Sequence, residues 1–257
     1  MAGQDKDTQA YNAGFLEFLA EATTPFHAVR VMARRLTNAG FQPLSEEGDW
    51  NLPAGGYFLV RNDSSIIAFR IGSEAGCEQG LRMAGAHTDS PCLMVKPAPE
   101  KQVKGYHQLG VEVYGGALLN PWFDRDLSLA GRVTYLDKTG VLRRELVDFR
   151  RPVAVIPSLA IHLDREANNS RKVNPQKDIP PVLARGELAA LRELLAAQLA
   201  AEYPGMAVAE VLDYELCFYD SQAATITGFN REFINGARLD NLLSCYAGLQ
   251  GIISSDG

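Results

Sequence analysis

Leu81-Arg82-Met83-Ala84-Gly85-Ala86-His87-Thr88-Asp89-Ser90-Pro91-Cys92-Leu93-Met94-Val95 sets an imidazole and a carboxylate between two short apolar runs. Both runs, 81–86 and 92–95, have the length and composition of strands. On extended backbone, His87 and Asp89 at i and i+2 point to the same face, so one can ligate a metal while the other orients it. Upstream, Phe15, Leu16, Phe18, Leu19 and Ala22 recur at helical spacing. A second helix then starts at Pro25, with Thr23 or Thr24 as its cap, and stops near Gly40. Residues 57–60 and 65–69 flank Arg61-Asn62-Asp63-Ser64, which predicts a hairpin. Helices followed by strands, with a ligand at a strand end, give an α/β layer whose site lies at the carboxyl edge of a sheet.

Downstream the character changes. Residues 111–114, 127–136, 141–149 and 153–156 read as strands, punctuated by Gly115-Gly116, Asp137-Lys138-Thr139-Gly140 and Arg151-Pro152. Residues 164–183 lack periodicity and predict a long loop, 186–203 a helix, and 207–219 a strand. From 238 to 254 helical patterning resumes, with Leu239, Leu242, Leu243, Tyr246, Leu249, Ile252 and Ile253 on one stripe and Asp240 at the amino end. The expected organisation is an α/β domain in two pieces, 1–96 and 235–257, interrupted by a β-rich insertion over 97–234.

Composition narrows the function classes. A chain of 257 residues with 46% hydrophobic content can build real cores. A net charge of −6, with Arg34-Arg35, Arg143-Arg144 and Arg150-Arg151 as isolated pairs and no clustered basic stripe, argues against a nucleic-acid partner. No stretch approaches a bilayer span, and the amino end resembles no export signal. Four cysteines, at 77, 92, 217 and 245, lack C-x-x-C spacing and read as reduced thiols of a cytoplasmic protein.

The candidate chemistry rests on few residues. His87 alone fits a core histidine as well as a metal ligand, but the carboxylate at i+2 and the turn after it suit a ligand whose tautomer Asp89 fixes. Asp240 alone fits a helix cap as well as a bridging carboxylate. His162, among apolar neighbours, reads as structural on spacing alone, as do His27 and His107. In Trp122-Phe123-Asp124-Arg125-Asp126, strand alternation would put both aspartates on one face and Arg125 on the other, in surface ion pairs.

Five segments, Thr24-Pro25-Phe26-His27-Ala28, 61–65, 85–93, Trp122-Phe123-Asp124-Arg125-Asp126-Leu127 and Ala237-Arg238-Leu239-Asp240-Asn241-Leu242, occur in an order that resembles the M18 metallo-aminopeptidases, which include the aspartyl aminopeptidases. The resemblance spans nearly the whole chain. It implies a zinc exopeptidase-type α/β/α domain, incomplete here, interrupted by a β-rich dimerisation domain, with peptide substrates and assembly as a homo-oligomer built from dimers into a dodecamer. It implies two Zn²⁺ ions per complete site, His87 as a zinc ligand, Asp89 as the catalytic aspartate beside it, and Asp240 as the carboxylate bridging both metals. His162 matches a histidine of the inserted domain that acts either as a ligand or as a substrate contact in a neighbouring subunit, the second being favoured. The peptide bond after Asp240 is expected to be cis.

The family pattern also calls for a Glu-Glu pair supplying the general base, a further aspartate and a late histidine. Only sixteen residues follow Asn241, and Asp256 is their sole acid. The expected function is therefore a zinc aminopeptidase that removes amino-terminal residues, with acidic ones the expected preference, and of which this chain is an inactive fragment. The alternative is a non-catalytic assembly or regulatory subunit of such oligomers.

Overall fold

Thr24 opens the second helix as its sequence requires: its side chain accepts from the His27 backbone N–H, Pro25 occupies the first turn, and Gly40 follows the end with φ of +85°. The computed structural model describes residues 6–72 and 80–255. Cys77 and Asp256 lie outside the described residues.

The chain divides into two compact units, 1–90 with 223–257, and 91–222. The divisions fall earlier than the expected 96/97 and 234/235. Residues 92–96 belong to one continuous strand running to Val103, so the second unit begins with it. Residues 225–235 form a small hairpin counted with the first unit.

In the first unit, α1 (Lys6–Glu21), α2 (Pro25–Asn38) and the late helix α4 (Leu239–Ser254) enclose Phe15, Phe18, Leu36, Leu242, Tyr246 and Leu249. Each large apolar side chain buried there contributes roughly 1.5–3 kcal/mol. Beside them lies a three-stranded sheet of β1 (Gln42–Pro43), β2 (Gly55–Arg61) and β3 (Ser65–Ile71). The β2–β3 hairpin closes through Asn62 and Asp63, both at positive φ (51° and 58°), which is the geometry of its short turn. Arg70 of β3 donates to the carbonyls of Ile252 and Ile253 (3.2 and 3.3 Å), tying the sheet to the carboxyl end of α4.

In the second unit, β4 (Cys92–Val103), β5 (Tyr106–Tyr114), β6 (Leu127–Asp137), β7 (Leu142–Asp148), β8 (Val182–Arg185) and β9 (Val208–Asp220) form an antiparallel sheet in the order β7-β6-β9-β4-β5-β8. The helix α3 (Leu191–Glu202) packs Leu195 and Leu199 into a core with Leu93, Leu129, Val133, Val147, Leu216 and Phe218. Gly131 of β6 is required by backbone proximity, because a Cβ there would lie 2.0 Å from the Glu215 carbonyl of β9. Back in the first unit, β10 (Thr225–Thr227) and β11 (Phe233–Asn235) pair with each other.

Three local expectations are corrected. Residues 81–86 form no strand: they make no ladder with any described strand, and Leu81 and Met83 stand exposed. An apolar run becomes a strand only where its backbone groups find a pairing partner. Residues 186–190 precede α3 rather than opening it. Residues 122–126 do not alternate as a strand, since Asn120–Trp122 is a 3₁₀ turn and Asp124 has φ of +59°. Arg125 pairs with Asp220 (2.5 Å), and Asp124 accepts from the Ser158 backbone N–H (2.8 Å).

Candidate metal centre

Two segments of the first unit bring His87, Asp89 and Asp240 together. The stretch 80–91 has no regular structure, and short hydrogen bonds fix its path. Thr88 Oγ1 donates to the Ser64 carbonyl (2.9 Å) in the β2–β3 turn. Ser90 Oγ donates to the Asp240 carbonyl (3.0 Å), and the buried Cys245 thiol donates to the His87 carbonyl (3.2 Å). Burial, then the nearby Asp89 carboxylate, pushes the Cys245 thiol above its ordinary pKa, so it remains the protonated donor.

On the other side, Arg238 adopts left-handed backbone (φ 62°), and Asp240 and Asn241 depart from helical angles. The Asp240–Asn241 peptide is cis. Regular helix follows from Leu242, whose side chain is buried with those of Cys245, Tyr246 and Leu249. Asp240 is thereby held at the amino end of an anchored helix with its carboxylate in solvent, 91% exposed.

The imidazole stands between the two carboxylates. His87 Nδ1 lies 3.1 Å from the Asp89 carbonyl and 3.3 Å from Asp89 Oδ1. With Nδ1 as the donor, Nε2 turns its lone pair toward Asp240 Oδ1 at 3.5 Å. Two acceptors then face each other, which suits an intervening cation. Nitrogen and oxygen ligands at about 2.0–2.2 Å from a tetrahedral zinc are separated by about 3.4 Å, close to the spacing found. Asp89 stands on the Nδ1 side of the ring, from which a carboxylate can orient a histidine that ligates through Nε2. Among the described residues, no three His, Cys, Asp or Glu side chains are grouped to enclose an ion. His87 uses opposite ring nitrogens toward its two neighbours, so the donor set on the Asp240 side is two.

His162 belongs to the other unit, 91–222, in an exposed turn beside exposed Leu159, Ile161 and Leu163. His27 is buried at the start of α2 with Nδ1 2.8 Å from Thr24 Oγ1, and His107 Nε2 lies 2.5 Å from the Gly186 carbonyl. Nothing in the sequence marks Thr88, Ser90 and Cys245 as positioning groups. Their bonds go to backbone carbonyls, which leave no trace in spacing. No helix among the described residues is long and apolar enough to cross a membrane.

The profile of the family described as Aminopeptidase I zinc metalloprotease (M18) matches residues 18–257. The chain belongs to the M18 family. A probable M18 family aminopeptidase 2 of Ectopseudomonas mendocina (strain ymp) is 59% identical over 246 residues, covering 94% of this chain and 57% of that protein. A solved complex of Ape4 with Nbr1 contains a chain of 36% identity and TM-score 0.91, covering 98% of this chain and 52% of that one. The S. cerevisiae mApe1 dodecamer is 25% identical with TM-score 0.76, covering 98% of this M18 chain and 59% of that chain. The chain thus spans a little over half the length of the M18 proteins it matches, and its α/β fold is theirs.

Proposed function

We propose that His87 and Asp240 are two ligands of the zinc site of an M18 aminopeptidase, with Asp89 as the positioning carboxylate of His87. The observation that carries this reading is the approach of His87 Nε2 to Asp240 Oδ1 at 3.5 Å while Nδ1 is engaged by Asp89. Bound zinc would supply Lewis acidity toward a peptide carbonyl and toward water. The chain's own part is to present Nε2 and Oδ1 as ligands, with the Asp240 carboxylate free to bridge to a second ion, and to fix the imidazole tautomer through Asp89. The whole protein would release amino-terminal residues from peptides, with acidic ones preferred. His162 would serve as a substrate contact in a neighbouring subunit, with zinc ligation as its alternative role.

A catalytic zinc keeps three protein ligands and an open position. Two ligands hold it weakly, and the general base of the family pattern is missing from residues 242–255. The chain as given is therefore expected to bind zinc weakly and to hydrolyse no aminoacyl substrate. Isothermal titration with Zn²⁺ should show binding that His87→Ala abolishes. Unchanged binding in that variant, or chelator-sensitive release of p-nitroaniline from aminoacyl anilides by the unaltered chain, would contradict the reading.

The 91–222 unit is proposed to be the dimerisation element of a homo-oligomer, supported by the dodecameric state of the mApe1 relative. This supports the second reading, an assembly subunit, as well as the first. Light scattering on the full chain should report a dimer or larger species, and a monomer at all workable concentrations would exclude assembly by this chain alone.

A further inference from the structure

In the 91–222 unit, two thiols meet across neighbouring strands. Cys217 of β9 pairs with Met94 of β4, so Cys92, two residues before Met94, projects from the same face on the diagonal. Their sulfurs are 3.3 Å apart. Both are thiols, Cys217 buried and Cys92 partly exposed.

We propose that Cys92 and Cys217 are a modification site that small-molecule disulfides oxidise to a reversible intrachain disulfide. A disulfide bond is about 2.04 Å long, so the sulfurs need approach by only roughly 1.3 Å. Diagonal cross-strand positions lie roughly 7–8 Å apart at Cα, slightly beyond the span of an ordinary bridge, so one strand must yield. Cys92 can yield. It is the first residue of β4, preceded by Pro91 and by a stretch without regular structure, whereas Cys217 sits within β9 between β4 and β6.

The unequal exposure sets the order of events. Cys92 loses its proton and its sulfur attacks one sulfur of the small disulfide RSSR, forming a mixed disulfide and expelling RS⁻, which is protonated to RSH. Cys217 then loses its proton and attacks Cys92 Sγ, which breaks the mixed disulfide and expels a second RS⁻. Two protein thiols are oxidised by two electrons, and RSSR is reduced to two RSH. While both thiols are reduced, contact with the Cys92 thiol, followed by burial, holds the Cys217 thiol far above its ordinary pKa, which disfavours Cys217 as the first to attack.

Oxidised glutathione is the probe, applied to the full chain under native conditions, with non-reducing tryptic mapping as the readout. Cleavage after Lys and Arg places the four cysteines in four different peptides, so every possible bridge is distinguishable. The titratable thiols should fall from four to two, with the Cys92 and Cys217 peptides joined and dithiothreitol restoring both. At short times the unaltered chain should carry glutathione on Cys92 before the cross-link appears. Cys217→Ser should trap that adduct. Retention of all four thiols, a Cys92 adduct that never resolves in the unaltered chain, first modification at Cys217, or a bridge through Cys77 or Cys245 would overturn the proposal.

Discussion

Gly14 of α1 and Tyr246 of α4 should behave as a coupled pair, because one hydroxyl separates a tolerated alanine from a clash. A Cβ added at Gly14 would lie 2.4 Å from Tyr246 Oη but 3.6 Å from Cζ, the second distance being ordinary contact. The ring cannot swing aside: it is 3% exposed and lies 5.0, 5.4 and 5.6 Å, centroid to centroid, from Tyr11, Phe15 and Phe18. Overpacking of this kind costs about 1–3 kcal/mol, whereas replacing glycine within a helix by alanine gains about 0.8–1.0 kcal/mol. Gly14→Ala alone should therefore be neutral to destabilising by about 2 kcal/mol. Tyr246→Phe removes only a 3.4 Å hydrogen bond to the Tyr11 carbonyl and should cost less than about 1 kcal/mol. Added to Tyr246→Phe, the Gly14→Ala change should stabilise by about 1 kcal/mol. The double-mutant cycle, read by equilibrium urea unfolding, should give a coupling of about 1–3 kcal/mol. Additivity within about 0.5 kcal/mol would refute the argument, and with it the view that a tight α1–α4 contact fixes the helix carrying Asp240.

Asp89→Ala should weaken zinc binding by roughly 10–100-fold without unfolding the chain, measured by titration beside circular dichroism; unchanged affinity would remove Asp89 as the orienting group. Gly131→Ala should destabilise the 91–222 unit by about 3 kcal/mol or more, because its Cβ meets backbone that cannot change rotamer, and a shift below about 1 kcal/mol in urea unfolding would contradict the close approach. Asp137 accepts from Thr139 Oγ1 and the Thr139 and Val141 N–H groups and pairs with Arg143, and these bonds hold its pKa well below the ordinary aspartate value. Its contribution to the β6–β7 turn is thus complete above that ordinary value and is lost only as pH falls through the lowered one. A carboxyl carbon titration by NMR with a midpoint at or above about 3.9 would refute this.

Much of the fold is legible in the sequence because its signals are local. Thr24-Pro25 at the start of α2, the Asn62-Asp63 turn and the apolar stripe from Leu242 to Leu249 each carry their own structural reason within a few residues. Residues 81–86 mislead because a strand depends on a partner, and partners are remote in sequence. The extension of β4 past Pro97 and Pro99 is hidden for a related reason: it survives through pairing with β5 beyond an irregularity between Val95 and Glu100. At the candidate metal centre, the imidazole and the carboxylate at i and i+2 can be read from spacing. The approach of Asp240 to His87 comes only from the resemblance, since 150 residues of chain separate Ser90 from the carbonyl that it holds.

The pairing of Leu93 with Phe218 brings together the two ends of the 132-residue second unit. When that unit is already folded, α4 reaches α1 and α2 through a connection equivalent to a handful of residues instead of 132. With loop-closure cost growing as (3/2)RT ln n, the saving is about 3 kcal/mol. The β-rich unit therefore acts on the folding of its neighbour as a clasp, supporting the helix that bears Asp240 by shortening the search for its place.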